Sequence, residues 1–423
     1  MAIIHMLVAL VVLLMTRMPI ALVVLGAAVA FVASHPALVD LGLVQSFVNA
    51  TMPFPLITIP LFLLAGELMN ASGITRRMMD FAGTLTGHLP GGLAQVNVVV
   101  STLKGGMSGS ANADAAMDAK MLVPEMTRRG YDPAFSSAIT ATSSFTAALL
   151  PPSILLLMFG FVTDTSVGAL FMGGLVPSLI LTFAFMGVTH VIARRRGYGG
   201  DLPRAKLPDV WRAFVRAYPA ILLPLLIALG IRTGVFTPSE AGAVAVAYAL
   251  VFCAATGETS LVEVGAALRN TVVTSAAIMF VLAATGALSW ALTYEQVPQA
   301  VARTLTGLTQ DPYLLLGLIA LCLLVVGIFI EALPMILILG PMFTPATTAA
   351  GIDPVLFGVF FCLLSLIGAV TPPVGSVMFT TCSITKVAMA PFWRECVPYV
   401  AATLVTVIVI VAIPQTVTWL ARI

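Results

Sequence analysis

An adjacent pair of prolines in the middle of a long apolar run limits how this chain can fold more than any other feature, and the chain has it twice. Pro151-Pro152 interrupts the run Ala134–Gly160, and Pro372-Pro373 interrupts the corresponding run 221 residues later. Neither proline has an amide donor, so a helix through Pro151-Pro152 would leave the carbonyls of Ala147 and Ala148 without their intrahelical partners. The helix is expected to break there, with Leu150 also in the unwound stretch. The correspondence extends beyond the prolines. Pro124, Gly130, Asp132, Pro133, Pro151 and Pro152 coincide with Pro345, Gly351, Asp353, Pro354, Pro372 and Pro373 at a single offset of 221 without a gap. In the same register Gly106 meets Gly327, Ser110 meets Glu331, Ala111 meets Ala332 and Ser144 meets Ser365. The chain reads as two related halves, approximately 1–205 and 210–423.

Composition sets the environment of these halves. Hydrophobic types make up 60% of the 423 residues and charged types 9%, against about 25% charged in ordinary soluble domains. That excludes a soluble enzyme. A spanning helix takes about 20 apolar residues, which leaves room for roughly ten to fourteen membrane segments. An all-α polytopic membrane protein is expected. The 20 basic and 18 acidic residues give a net charge of +2, too small and dispersed for a basic nucleic-acid-binding face, so no nucleic-acid partner is expected. Cys253, Cys322, Cys362, Cys382 and Cys396 stand singly, and His5, His35, His88 and His190 are scattered. No metal is expected beyond a transported ion. Met1–Ala33 lacks the basic start of a signal peptide and is read as a first membrane helix kinked at Pro19.

Gly91–Leu103 lies between Pro90 and Lys104. Such a stretch covers roughly 20 Å, short of the roughly 30 Å hydrocarbon core, and is expected to enter and turn back. The small, polar stretch Gly105–Met121 follows. It could not face lipid, where unsatisfied backbone costs several kcal/mol per group. Together they predict a re-entrant hairpin with its tip near Gly105–Ser110. Charge suggests how the halves are oriented. The first hairpin leaves through Thr127-Arg128-Arg129-Gly130 and its counterpart through Thr348-Ala349-Ala350-Gly351, while Arg76-Arg77 falls opposite Val297-Pro298. Because Lys and Arg are retained on the cytoplasmic side, inverted repeats are expected. The linker Arg194–Arg216 holds seven of the 20 basic residues and is placed in the cytoplasm.

Inverted repeats with paired broken helices point to a secondary transporter with its ion and substrate sites near the midplane. Helix-end carbonyls can hold Na⁺ without a formal charge that would have to cross the membrane. The cation-site candidates are Ala147, Ala148 and Leu150 with Gly106 and Ser108 in one half, and Gly368, Ala369 and Thr371 with Gly327 in the other. Candidate substrate ligands are Ser108, Gly109, Ser110, Asn112, Asp114, Ser144, Glu331, Thr371 and Gly375. Asp114 and Asp118 share a helix face at i, i+4, and an intramembrane ionisable group is a functional hypothesis by default. Asp118 and Lys120 could equally sit at the wetter end of the hairpin. Glu67 and Glu240 are nearer segment ends and read as structural. Two plainer accounts compete with this one: that the prolines only kink long helices, and that the small tip residues serve close packing alone. Gly106-Met107-Ser108-Gly109 also fits the GxSG pattern of rhomboid-type proteases, but a nucleophilic serine needs a base in reach, and His190 is the only histidine that follows.

The chain resembles the large membrane subunit of tripartite ATP-independent periplasmic (TRAP) transporters. The resemblance is carried by IPLFLLAGELMNASGI (59–74), LPGGLAQVNV (89–98), SGSANADAA (108–116), GYDPAF (130–135), LLPPSI (149–154), GVFTPSEAGA (234–243) and TPPVG (371–375). It implies a Na⁺-coupled importer of small organic anions, often carboxylates, in which a transport domain moves against a scaffold by an elevator mechanism. It also implies a small four-helix membrane subunit and a periplasmic binding protein as partners, and location in the bacterial inner membrane. The family's hairpin tips fall at Ser108–Asn112 and around Glu331–Pro334, and its cation-site breaks at Pro151-Pro152 and Thr371-Pro372-Pro373. Lys104 and Asp118–Lys120 depart from the apolar or small residues common there. The expected division is scaffold 1–84, first transport repeat 85–190, cytoplasmic linker 191–216, scaffold 217–307, second transport repeat 308–395 and a C-terminal helix 396–423. A stand-alone ion-coupled carboxylate carrier is the alternative.

Overall fold

The computed structural model describes residues 2–16, 18–35, 41–200, 203–309, 311–372 and 374–422, and among them the regular structure is helical throughout. The first half holds α1 (Ala2–Met15), α2 (Ile20–Ala33), α3 (Leu41–Asn49), α4 (Thr58–Ala71) and α5 (Ile74–Thr86). It continues with α6 (Gly92–Ser108), α7 (Ala111–Arg128), α8 (Pro133–Leu149), α9 (Ile154–Val162) and α10 (Val167–Arg196). The second half holds α11 (Leu207–Arg232), α12 (Pro238–Thr256), α13 (Leu261–Tyr294), α14 (Val297–Leu308) and α15 (Pro312–Gly327). It ends with α16 (Ala332–Ala349), α17 (Pro354–Gly368), α18 (Ser376–Thr385), α19 (Met389–Ala412) and α20 (Gln415–Arg422).

The 221-residue register carries over to these elements. Shifting α7 by 221 gives the bounds of α16, and α6, α8 and α9 land within two residues of α15, α17 and α18 at both ends. The recurring Gly-x-Asp-Pro explains one of the shared boundaries. Gly130 and Gly351 take left-handed φ of 86° and 74°. The amides of Tyr131 and Ile352 then reach back to the carbonyls of Met126 and Thr347, which closes the preceding helix. Asp132 accepts from the amide of Phe135, Asp353 accepts from Val355 and Leu356, and the following prolines occupy the first turn, where no donor is needed.

α8 is buried on every face from Phe135 to Leu149 although it is rich in Ser and Thr. Its hydroxyls return mainly to its own carbonyls, as in Ser137 to Pro133, Thr140 to Ser136 and Ser144 to Ala141. A polar but self-satisfied surface lets α6 and α7 pack closely on it. The register partners α10 and α19 run antiparallel. Thr189 bonds Tyr399 at 3.1 Å and Arg196 grips Glu395 through two contacts of 2.9 Å, while Gly173 lies beside Val417 of α20. The halves also exchange contacts, with α7 packed on α18 and α16 on α9.

Several sequence expectations are corrected here. Met1–Ala33 is not one kinked helix: α1 and α2 pack against each other on either side of Pro19, whose ψ of 134° ends helical geometry. The first hairpin arm runs past Lys104 to Ser108 because that charge is paired inside the protein. Among the described residues, seven helices are long and apolar enough to cross a membrane, or eight with the bent pair α8–α9. That is fewer than composition suggested, because much of the apolar content lies in shorter helices such as α15, α17 and α18. In the basic stretch between the halves, α10 runs to Arg196 and α11 starts at Leu207, so Arg194, Arg195, Arg196, Arg212 and Arg216 are helical. The boundaries at 84/85, 190/191 and 395/396 fall inside α5, α10 and α19.

Candidate functional site

Both tips open onto one cavity of about 360 Å³. Gly109, Ser110, Ala111 and Asn112 line it from the first half, and Glu331, Ala332, Leu333 and Pro334 from the second. Thr274, Ala277, Ile278 and Val281 of α13 form another wall. Four helices present their first residues to this space: α7 with Ala111, α9 with Ile154, α16 with Ala332 and α18 with Ser376. Each helix start is the positive end of its dipole, so the convergence favours an anion. Ser376 ties the tips together, accepting from Asn112 Nδ2 at 3.1 Å and meeting the Glu331 carboxyl. Among the described residues that line the cavity, Glu331 is the only ionisable one, and no Lys or Arg joins it there.

The helix C-termini pair off behind the tips. A Cβ on Gly368 would collide with the Gly327 carbonyl oxygen, and one on Gly105 would lie 2.7 Å from Ala147 Cα. The break in α8–α9 bends the axis by 48°. Gly109, at φ 56°, brings the first tip so close to the break that a Cβ would collide with the Pro152 carbonyl oxygen. Partial negative charge therefore gathers where α6 meets α8 and where α15 meets α17.

The carbonyls expected to be bare are largely engaged. Ser153 Oγ donates to Ala148 O. In the second half the chain tightens into short turns: Thr371 N bonds Gly368 O, Gly375 N bonds Thr371 O, and Ala369 O accepts from both Val377 and Met378. Two orphan amides at the start of α18 have taken the Ala369 oxygen, filling both of its lone pairs. Pro373 and the Ser108 side chain lie outside the described residues.

Other candidate residues are also relocated. Gly106 abuts Pro224 of α11, and Gly105 takes the place against Ala147. Ser144 is fully buried and bonded within α8, so it does not line the cavity. Thr371 and Gly375 shape the turn before α18 rather than the cavity wall. Asp114 points away from the cavity to Lys104, whose Nζ lies 2.7 Å from Asp114 Oδ1 and 2.6 Å from Asp118 Oδ1. Asp118 is thus buried rather than at a wet end, whereas Lys120 is exposed. Glu240 closes a capping box with Thr237, in line with a structural role. Sequence reasoning missed Ser376, Leu366 and the α13 wall, and no local pattern signals them.

Comparison with known proteins agrees with this architecture. The family described as "Tripartite ATP-independent periplasmic transporter, DctM component" matches residues 7–416. The sialic acid TRAP transporter large permease SiaM of Vibrio cholerae is 35% identical over 375 residues, 88% of this chain and 87% of its own. The C4-dicarboxylate TRAP transporter large permease DctM of Pseudomonas aeruginosa is 36% identical over 363 residues, 85% of this chain and 84% of its own. In fold, the chain is similar to the crystal structure of the Alcanivorax borkumensis YdaH transporter, with a TM-score of 0.61 and 15% identity over 90% of this chain and 88% of that one. The relatives are transport permeases, not enzymes, and the GxSG stretch is a packed hairpin tip, so the protease alternative falls. With a match along nearly its whole length, the chain belongs to the DctM family of TRAP transporter large permeases.

Proposed function

We propose that this permease imports a small organic anion, a carboxylate, together with Na⁺ across the bacterial inner membrane. A periplasmic binding protein would deliver the anion, and a small four-helix membrane subunit would complete the complex. The observation that carries the proposal is the cavity between the tips, where four helix N-termini converge with no Lys or Arg among the described residues of its wall. Such a cavity attracts an anion through dipoles alone. With Glu331 in the wall, the anion still needs a neutralising partner. Sodium ions at the paired C-termini, Gly105/Ala147 and Gly327/Gly368, would supply it, and this is the physical basis of coupling.

The antiparallel α10 and α19 and the exchanged contacts α7–α18 and α9–α16 support inverted repeats around that site. The two hairpins and broken helices would form a transport domain that slides as an elevator along a scaffold containing α13. Each net positive charge carried inward gains about 2.3 kcal/mol per 100 mV, so two sodium ions per singly charged anion suffice for accumulation. The carboxylate assignment draws on relatives named for sialic acid and for C4-dicarboxylates. The test is uptake by proteoliposomes holding both membrane subunits, with sialic acid and succinate as probes. A sodium gradient without a pH gradient should drive uptake when the binding protein is added. Uptake that ignores sodium would sink the coupling, and uptake without the binding protein would favour a stand-alone carrier.

A further inference from the structure

Lys104, Asp114 and Asp118 bring one ammonium and two carboxylates together where water is excluded, their side chains being 2%, 0% and 0% exposed. Fully ionised, the group has one negative charge left over. A buried unpaired charge is costly enough that the group neutralises instead. Asp118 receives Lys104 on Oδ1 and Ser101 on Oδ2 at 3.2 Å. Asp114 meets Lys104 at Oδ1, while its buried Oδ2 accepts no hydrogen bond. None of the three lines the tip cavity. A further metal ion would need room and oxygen ligands; a proton needs neither.

The neighbouring elements bring no compensating charge. α8, packed on both arms, has no ionisable residue from Pro133 to Leu149, and α18 brings only Cys382. Glu67 of α4 is engaged by Asn270, and on α5 Arg77 pairs with Glu258. Arg76 and Asp80 of α5, Lys120, Glu125 and Arg128 of α7, His190 and Arg194–Arg196 of α10, and Asp209, Arg212, Arg216, Tyr218 and Arg232 of α11 complete the set on helices touching α6. The charged groups acting on Lys104 and Asp118 are one another and Asp114.

We infer that the Lys104–Asp114–Asp118 triad is a proton-binding site that holds one exchangeable proton, shared between its two carboxyls. The step forms one O–H bond on a carboxylate with a proton that solvent hydronium gives up, leaving water. It requires neither substrate nor sodium, so its failure is separate from that of the proposed transport mechanism. The protonated triad is neutral and adds no charge of its own to any movement of the hairpin.

The test is infrared difference spectroscopy of the purified permease during a pH titration in sodium-free buffer, following the protonated-carboxyl band and its shift in D₂O. Neutrality fixes the expected amplitudes. Against one carboxyl in the wild type, Asp114→Asn and Asp118→Asn should each lose that band, because the remaining carboxylate balances Lys104. Lys104→Met should double it. A wild-type band retained in both Asn variants, a band that answers to sodium but not to pH, or no titrating band at all would overturn the inference. Should the Met variant fail to fold, the isosteric Asn variants still decide.

Discussion

One methyl group is enough to test the packing behind each tip. Gly368 sits so close to the Gly327 carbonyl that Gly368→Ala must push two helix ends apart, and such overpacking costs about 1–3 kcal/mol. Gly317, on the same hairpin arm, has open space within 4 Å of where a Cβ would sit, so Gly317→Ala should leave stability unchanged or slightly raised. Thermal unfolding in detergent compares the two; equal losses would refute the close contact. Charge gives a sharper test. Lys104→Met removes the one cation that Asp114 and Asp118 share and should cost about 3–5 kcal/mol, whereas Asp118→Asn keeps one ammonium with one carboxylate and should cost clearly less. A chemical-denaturation series on both variants checks the order. The sequence marked Lys104 and Asp118 as unusual without showing that they meet, because their contact spans 14 positions and two helices. The same holds for Ser376, which joins Asn112 from 264 residues away.

At the level of elements, local chemistry decides what can be read in advance. Proline and glycine act on their own backbone, so the Gly-x-Asp-Pro stops and starts and the break after Leu149 follow from the sequence alone. The fate of the released carbonyls does not, because it depends on which donor arrives from elsewhere: Ser153 Oγ for Ala148, the first amides of α18 for Ala369. Gly106 lies away from its expected place for a related reason. The 221-residue register fixes which residues correspond, but not how the hairpin arm is rotated against α8, and one step of rotation puts Gly105 there instead. The break itself can be tested. Replacing both Pro151 and Pro152 with alanine restores two amide donors and lets α8 continue into α9. Sodium stimulation of uptake should then fall by at least tenfold in proteoliposomes while the protein remains monodisperse; undiminished stimulation would show that this break takes no part in coupling.

For the whole molecule, the halves lean on each other. α7 rests on α18 and α16 on α9, while Phe159 of α9 meets Phe357 of α17 edge to face and Phe361 at a tilt, with ring centroids 5.8 and 5.7 Å apart. Neither half can close its core alone. Fragments divided between α10 and α11 should therefore co-purify when expressed together, and each expressed alone should be degraded. Recovery of a stable, monodisperse first half would contradict this. The exchanged packing also has a consequence for biogenesis. The groove on α7 stays vacant until α18 is made, a stretch of chain that takes the ribosome on the order of 15 to 50 s at the usual pace of synthesis. During that wait a helix carrying Asp114, Asp118 and Lys120 must be sheltered from lipid, which makes the newborn permease a natural client for membrane-inserted folding helpers.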